Sequence, residues 1–163
     1  MESNVFIGLG SNVGDRELNL LKAVAELGKL LGSRVTALSS FFDTEPVGMD
    51  SGDNFLNAVV KMESSLSVED LLSQLMQIET TVFGRQRSGS VDSRRMDLDI
   101  LFYGDKVIDS PPRLVIPHPR LNKRKFVLEP LAEIAPGFIH PLLGKSVSSL
   151  LSGLDDTTRV TKV

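Results

Sequence analysis

The chain has 163 residues, of which 41% are hydrophobic and 24% charged, with a net charge of −3. That length supports one domain with a proper core, spanning residues 1–163. It holds no cysteine, which excludes a disulfide framework and any thiolate metal site. Met1-Glu2-Ser3-Asn4 lacks the basic and apolar stretches of a signal peptide, and no apolar run reaches membrane-span length, so a cytoplasmic protein is expected.

Val5–Leu9 is a short apolar run ending in Gly8-Leu9-Gly10-Ser11-Asn12-Val13-Gly14, and it predicts a buried strand followed by a loop. From Asp15 to Leu31, residues Leu18, Leu21, Val24/Ala25, Leu27/Gly28 and Leu31 recur at helical spacing, with Gly32 as the stop. Val35–Phe42 predicts a second strand, and Asp43–Asp53, with Pro46, Gly48 and Gly52, a loop. Asn54–Met62 predicts a third strand with Leu56, Ala58, Val60 and Met62 on one face. Ser67 starts a helix, with Asp70 as a capping partner and Val68, Leu71, Leu72, Leu75, Met76 and Ile78 as its apolar stripe; Gly84 ends it.

A polar loop over 84–93 leads into Arg94-Arg95-Met96-Asp97-Leu98-Asp99-Ile100-Leu101-Phe102, a strand, and Gly104-Asp105 predicts a hairpin turn into Lys106–Ile108. The order is β-α-β-β-α-β: an α+β, ferredoxin-like core with a mainly antiparallel sheet and helices packed on it. A proline-rich C-terminal extension adds short elements, including a helix over Pro130–Ala135 that starts on its proline. The tail 155–163 is short and charged, and either frays or adds an edge strand.

Asp97 and Asp99 stand two residues apart in an apolar run, so on a strand they face one way, roughly 6.7 Å apart. Met96, Leu98 and Ile100 then face the core. Two like charges on a half-buried strand repel and lose hydration, a cost that a divalent cation removes. A solvated edge strand with two surface acids fits the segment equally well.

The surroundings favour the metal. Residues 85–125 carry ten Lys/Arg against five Asp/Glu, and the rest eight against sixteen, a local polyanion site in an acidic protein. Arg85, Arg87, Arg94 and Arg95 precede the acids, and Arg113, His118, Arg120, Lys123 and Arg124 follow them. Guanidinium groups match phosphate oxygens bidentately, so arginines beside two metals make a receptor for a triphosphate. Phe55 and Asn57 share a strand face, and with Phe126 they fit either the grip of a flat heterocycle or ordinary core packing of the rings. Gly8-x-Gly10-x-x-x-Gly14 misses dinucleotide-binding spacing, and a P-loop is absent.

Six segments in this order resemble the 6-hydroxymethyl-7,8-dihydropterin pyrophosphokinase family of folate synthesis. They are Gly8-Leu9-Gly10-Ser11-Asn12, Thr44-Glu45-Pro46-Val47-Gly48, Asn54-Phe55-Leu56-Asn57-Ala58, Arg94 to Ile100, Ile116-Pro117-His118-Pro119 and Leu128-Glu129-Pro130-Leu131. The resemblance implies a single catalytic domain that moves pyrophosphate from ATP to the pterin hydroxymethyl group and releases AMP. It assigns two Mg²⁺ ions to Asp97 and Asp99, and catalytic-loop roles to Arg85, Arg87 and Arg94. Glu79, His118 and Arg124 fall on the nucleotide or bridging side, the backbone around Ile100 and Val115 would meet the adenine, and the basic cluster adds Arg113. Thr44, Val47, Phe55, Asn57 and Phe126 fall in the pterin pocket, with Phe55 and Phe126 sandwiching the ring and Asn57 reading its edge. The chain departs from the pattern at Val91, where some members carry a lid Trp, and at Phe55 and Pro119, where some carry Tyr.

Rival readings are another Asp-x-Asp nucleotidyl or phosphoryl transferase on this fold, which would lack the Phe55/Asn57/Phe126 pocket, and a non-catalytic ferredoxin-like module that binds RNA or a small regulator. RNA binding would want exposed aromatics on a basic sheet face, whereas the chain has one Tyr and eight Phe, with two acids in the way. No nucleic-acid or membrane partner is expected, and a monomer suffices.

Overall fold

The computed structural model describes residues 2–45, 54–84 and 95–163. The first strand runs longer than its apolar core, over Ser3–Ser11 (β1), because Gly10 and Ser11 continue the ladder instead of leaving it. Helix α1 follows over Arg16–Gly28, then Ser33–Leu38 (β2), Phe42–Thr44 (β3), Phe55–Ser64 (β4) and helix α2, Val68–Gln77. Ile78–Val82 forms a π turn, and Asp97–Tyr103 is β5. Ile108–Ser110 (β6), Leu114–Ile116 (β7), a 3₁₀ turn over Leu121–Lys123, Lys125–Ile134 (α3), Val147–Ser152 (α4) and Val160–Lys162 (β8) complete the chain.

The main sheet has the order β5-β1-β4-β3-β8, with β2 also paired to β4, and each pairing is antiparallel. This is the expected α+β, ferredoxin-like arrangement, with β2 and β3 together in the place of one split strand. One sheet face presents Val5, Ile7, Leu56, Ala58, Val60, Met62, Leu98 and Ile100 to α1 and α2, all of them buried. The other presents Phe6, Val59, Leu101 and Phe102 to α3 and α4. Phe6 and Phe102 meet edge to face at 6.0 Å. A bulge in β5 opposite Phe6/Ile7 puts two consecutive residues, Leu101 and Phe102, on that second face. No helix among the described residues is long and apolar enough to cross a membrane.

Several expectations need correcting. The inward face of α1 is Asn19, Leu20, Ala23 and Leu27, while Leu18 and Leu21 are about half exposed. Asn19 sets that rotation: its buried Nδ2 donates to Ser11 Oγ at 3.1 Å and to the Val13 carbonyl at 2.9 Å. The helix stops at Gly28, and Leu31 is 89% exposed. The strand predicted over Val35–Phe42 breaks at Ser39, whose hydroxyl accepts from Val59 N at 2.9 Å and so takes a ladder position from the backbone. Asp43 and Thr44, predicted as loop, are strand.

Gly104, with φ +54°, does make a turn, since Lys106 N donates to the Tyr103 carbonyl at 3.1 Å. It closes no hairpin with β5, because β5 is held by β1 and β6 pairs with β7. Helix α3 starts five residues before Pro130, which sits buried inside it. Lacking an N–H, Pro130 offers nothing to the Phe126 carbonyl four residues back. Val127, Leu128 and Leu131 anchor the helix on the second core despite that loss. The tail resolves as an edge strand, β8 on β3.

Candidate active site

The site grows from two glycines. On the β1 ladder Gly10 stands between Asp97 of β5 and Asn57 of β4, and Gly8 between Asp99 and Val59. Ladder partners share a sheet face, so acids, glycines and the amide lie on the face away from α1 and α2. Neither glycine has positive φ; what they supply is room. A Cβ on Gly10 would stand 2.9 Å from Asn57 Oδ1 and 3.6 Å from Phe55 Cδ1. Helices α3 and α4 cover only the part of this face around Phe6 and Phe102. The rest is the floor of a cavity of about 550 Å³.

Asp97, Asp99, Thr44, Phe55, Asn57, His118, Arg124 and Phe126, all singled out in the sequence, line this cavity. Asp97 is half-buried and Asp99 exposed, while Leu98 and Ile100 between and after them are buried, so the strand alternates as expected. Asn57 is buried, and its Nδ2 donates to the Thr44 Oγ1 at 3.0 Å. Arg124 has its guanidinium carbon 5.4 Å from the Phe126 ring centroid. Burial and the neighbouring Arg120 lower the Arg124 pKa, and the charges of Asp99 and Asp97 oppose them.

His118 follows a cis peptide between Ile116 and Pro117, and its N–H donates to the Leu101 carbonyl at 3.0 Å, which moors it to β5. Its Nδ1 accepts from Arg120 N at 3.2 Å. The neutral ring therefore carries its proton on Nε2, a donor for an anionic oxygen. Burial, then Arg124 and Arg120, push its pKa down to about 4. The ordinary value being 6.5, the unfolded chain takes up the proton first as pH falls. Neutral His118 favours the fold fully above pH 6.5, and that contribution is lost between 6.5 and about 4. Urea unfolding at about pH 7 and about pH 4.5 is expected to show a loss of stability that His118→Asn reduces; equal losses in both proteins would place the titration elsewhere.

Other predicted residues lie outside the cavity lining. Glu79 is buried in the π turn, and its Oε2 accepts from Leu98 N at 2.8 Å, bracing β5 between the two acids. Ile100 belongs to the core. Val115 lies in β7, opposite Asp109 of β6. Arg113 lies between β6 and β7 and bridges Glu69 of α2 at 2.6 Å. Val47, Arg85, Arg87, Val91 and Arg94 fall outside the described residues. His140, given no role, is structural: its Nδ1 accepts from Leu142 N and Leu143 N, each at 3.1 Å.

Sequence reasoning missed Gly8 and Gly10 as a floor, and Glu45 and Asp156 as lining. The glycines were legible as i and i+2 of one strand face. Asp156 had no local signal, since its partner Lys125 is 31 residues away.

The acid pair suits Mg²⁺ by its donor chemistry. Hard carboxylate oxygens are the ligands Mg²⁺ takes, and it keeps several waters or phosphate oxygens besides one or two carboxylates. Among the described residues no third His, Cys, Asp or Glu joins them.

On this ferredoxin-like α+β sheet an acid pair, a neutral imidazole donor and a guanidinium stand beside an aromatic–amide pocket, a donor set that suits a polyphosphate and its cation. The chain matches the family model for 7,8-dihydro-6-hydroxymethylpterin-pyrophosphokinase (HPPK) over residues 6–136. The 2-amino-4-hydroxy-6-hydroxymethyldihydropteridine pyrophosphokinase of Synechocystis sp. is 41% identical over 151 residues, covering 93% of this chain and 76% of that one. The enzyme of the same name from Bacillus subtilis is 43% identical over 134 residues, covering 82% and 79%. A crystal structure of a Plasmodium falciparum HPPK-DHPS triple mutant with pteroate aligns with a TM-score of 0.72 at 16% identity, over 93% of this chain and 43% of that one, a likeness of fold. The chain thus spans under half of that fused protein. It belongs to the HPPK family.

Proposed function

We propose that this protein transfers the pyrophosphoryl group of ATP to the hydroxymethyl oxygen of 6-hydroxymethyl-7,8-dihydropterin, releasing AMP, in folate biosynthesis. Family membership supports the reaction. The observation that carries it to these residues is one cavity floor with Asp97 and Asn57 on either side of Gly10. Two strand spacings, roughly 10 Å, separate them, room for a flat heterocycle at one side and phosphates at the other.

In the reaction the hydroxymethyl oxygen forms a bond to the β-phosphorus, the bond from that phosphorus to the α,β-bridging oxygen breaks, AMP leaves and the hydroxyl proton is lost. The contribution of this chain is positioning and charge. Phe55 and Phe126 would hold the pterin ring, and Asn57, already tied to Thr44, would meet its hydrogen-bonding edge. His118 Nε2 would donate to a phosphate oxygen, and Arg124 would pair with another. Asp97 and Asp99 would hold Mg²⁺, two ions in this reading, which when bound neutralises charge on the phosphates. Arg85, Arg87, Arg94 and Val47 keep the roles that the family resemblance gives them. The proposal includes a monomer in the cytoplasm.

Purified protein given ATP, Mg²⁺ and the hydroxymethyl dihydropterin is expected to form AMP and pterin diphosphate in equal amounts, and EDTA to stop it. ADP as the nucleotide product, or ATP turnover indifferent to the pterin, would overturn the reading.

A further inference from the structure

Helix α3 starts with a residue that is wrong for a helix start. Arg124 is the N-cap, with φ −117° and ψ 107°, and its side chain makes no capping hydrogen bond. Asp, Asn, Ser and Thr suit that position because a short side-chain oxygen reaches the first free amides. The other three α-helices obey the rule: Asp15, Ser67 and Ser146 accept from Leu18 N, Asp70 N and Ser149 N, each at 3.1 Å. At α3 the position is taken by a guanidinium that lies by Phe126 and feels both Asp97 and Asp99.

The missing cap comes from the end of the chain. Asp156 Oδ2 accepts from Lys125 N, the first amide of α3, at 3.2 Å. Its Oδ1 accepts from Thr158 N at 2.8 Å, which fixes the carboxylate. Burial works against its charge, yet those hydrogen bonds and the Lys125 charge hold its carboxyl below the usual range. The segment that carries Asp156 is fastened at its other end to β3. Glu45 N donates to the Arg159 carbonyl at 3.2 Å, Arg159 N donates to Glu45 Oε1 at 2.9 Å, and Val160 pairs with Thr44. One short segment thus joins the strand bearing Thr44 to the helix start bearing Arg124 and Phe126. Asp156 itself lines the cavity, and it lies beyond the residues that the family model matches.

We propose that Asp156 is a positioning residue for pterin binding: it caps α3 from outside, and so lets an arginine occupy the N-cap while Phe126 keeps its place opposite Thr44 and Asn57. This rests on the proposed reaction, because the pterin is what Phe126 is held for.

The test uses the full chain and steady-state kinetics. Asp156→Ala is expected to raise the KM for the pterin about five- to tenfold, the scale of a lost cap. Asp156→Asn, an equally good capping residue, is expected to stay within about twofold of wild type. Ser67→Ala removes a comparable cap from α2, and is expected to lower the Tm without moving the pterin KM. An Asp156→Ala enzyme with wild-type KM, or an Asp156→Asn enzyme as impaired as Asp156→Ala, would overturn the proposal. So would a Ser67→Ala enzyme with an equal rise in KM, since lost stability alone would then explain it. A wild-type protein that makes no AMP would instead overturn the reaction on which the proposal rests.

Discussion

Asp97→Ala and Asp99→Ala are each expected to cut AMP formation by at least ~10³-fold, while the protein folds as before. The size follows from what a bound cation supplies: several kcal/mol of charge stabilisation at the transferring phosphoryl group, at about 1.4 kcal/mol per tenfold in rate. Either acid alone leaves one carboxylate to hold the ions that must also orient phosphate. The fold survives because neither carboxylate belongs to the core. Asp99 is exposed, Asp97 half-buried, and each faces a glycine across the ladder. Removing one of two adjacent like charges also relieves repulsion, so the stability change is expected within about 0.5 kcal/mol, checked by thermal melting. Rates within tenfold of wild type in a folded variant would remove the metal from these residues.

Much of this site was legible in the chain, for a physical reason. Strands with one buried and one open face write themselves as alternation. Met96, Leu98 and Ile100 against Asp97 and Asp99, and Leu56, Ala58 and Val60 against Phe55 and Asn57, are such records, and both sheet faces follow from them. Less legible were features set by distant partners. The face of α1 was misread because leucines at 18, 21 and 31 mark a stripe, whereas one buried amide, Asn19, ties the helix to the end of β1 and turns Leu20 and Ala23 inward. The break at Ser39 depends on a hydroxyl replacing a backbone partner, which no local pattern marks. Pro130 suggested a helix start by its own preference, and tertiary burial of Val127 and Leu128 overrode it. Arg113 pairs with Glu69 of α2, a partner far off in sequence that no local pattern marks.

Gly10→Ala is expected to raise the KM for the pterin about ten- to a hundredfold and leave the KM for ATP within about twofold, as befits a polar group knocked out of register in a buried recognition site. Gly10, expected in the loop after the first strand, is a ladder residue of β1. Gly10 needs no unusual backbone angle; its missing side chain is what matters. The added methyl would sit 2.9 Å from Asn57 Oδ1. A free amide would swing aside at little cost, but this one is buried and donates to the Thr44 Oγ1 at 3.0 Å. Moving it breaks that bond and turns the donor–acceptor edge away from the pterin. Gly8→Ala makes the informative contrast, because there the nearest atom is Leu101 Cδ2 at 3.4 Å, an apolar branch that can give. It is expected to change the pterin KM by less than about threefold. Equal effects from the two substitutions would mean that the methyls act on the sheet as a whole. A selective effect of Gly10→Ala would assign the amide of Asn57, held by Thr44 and given its space by Gly10, to the recognition of the heterocycle.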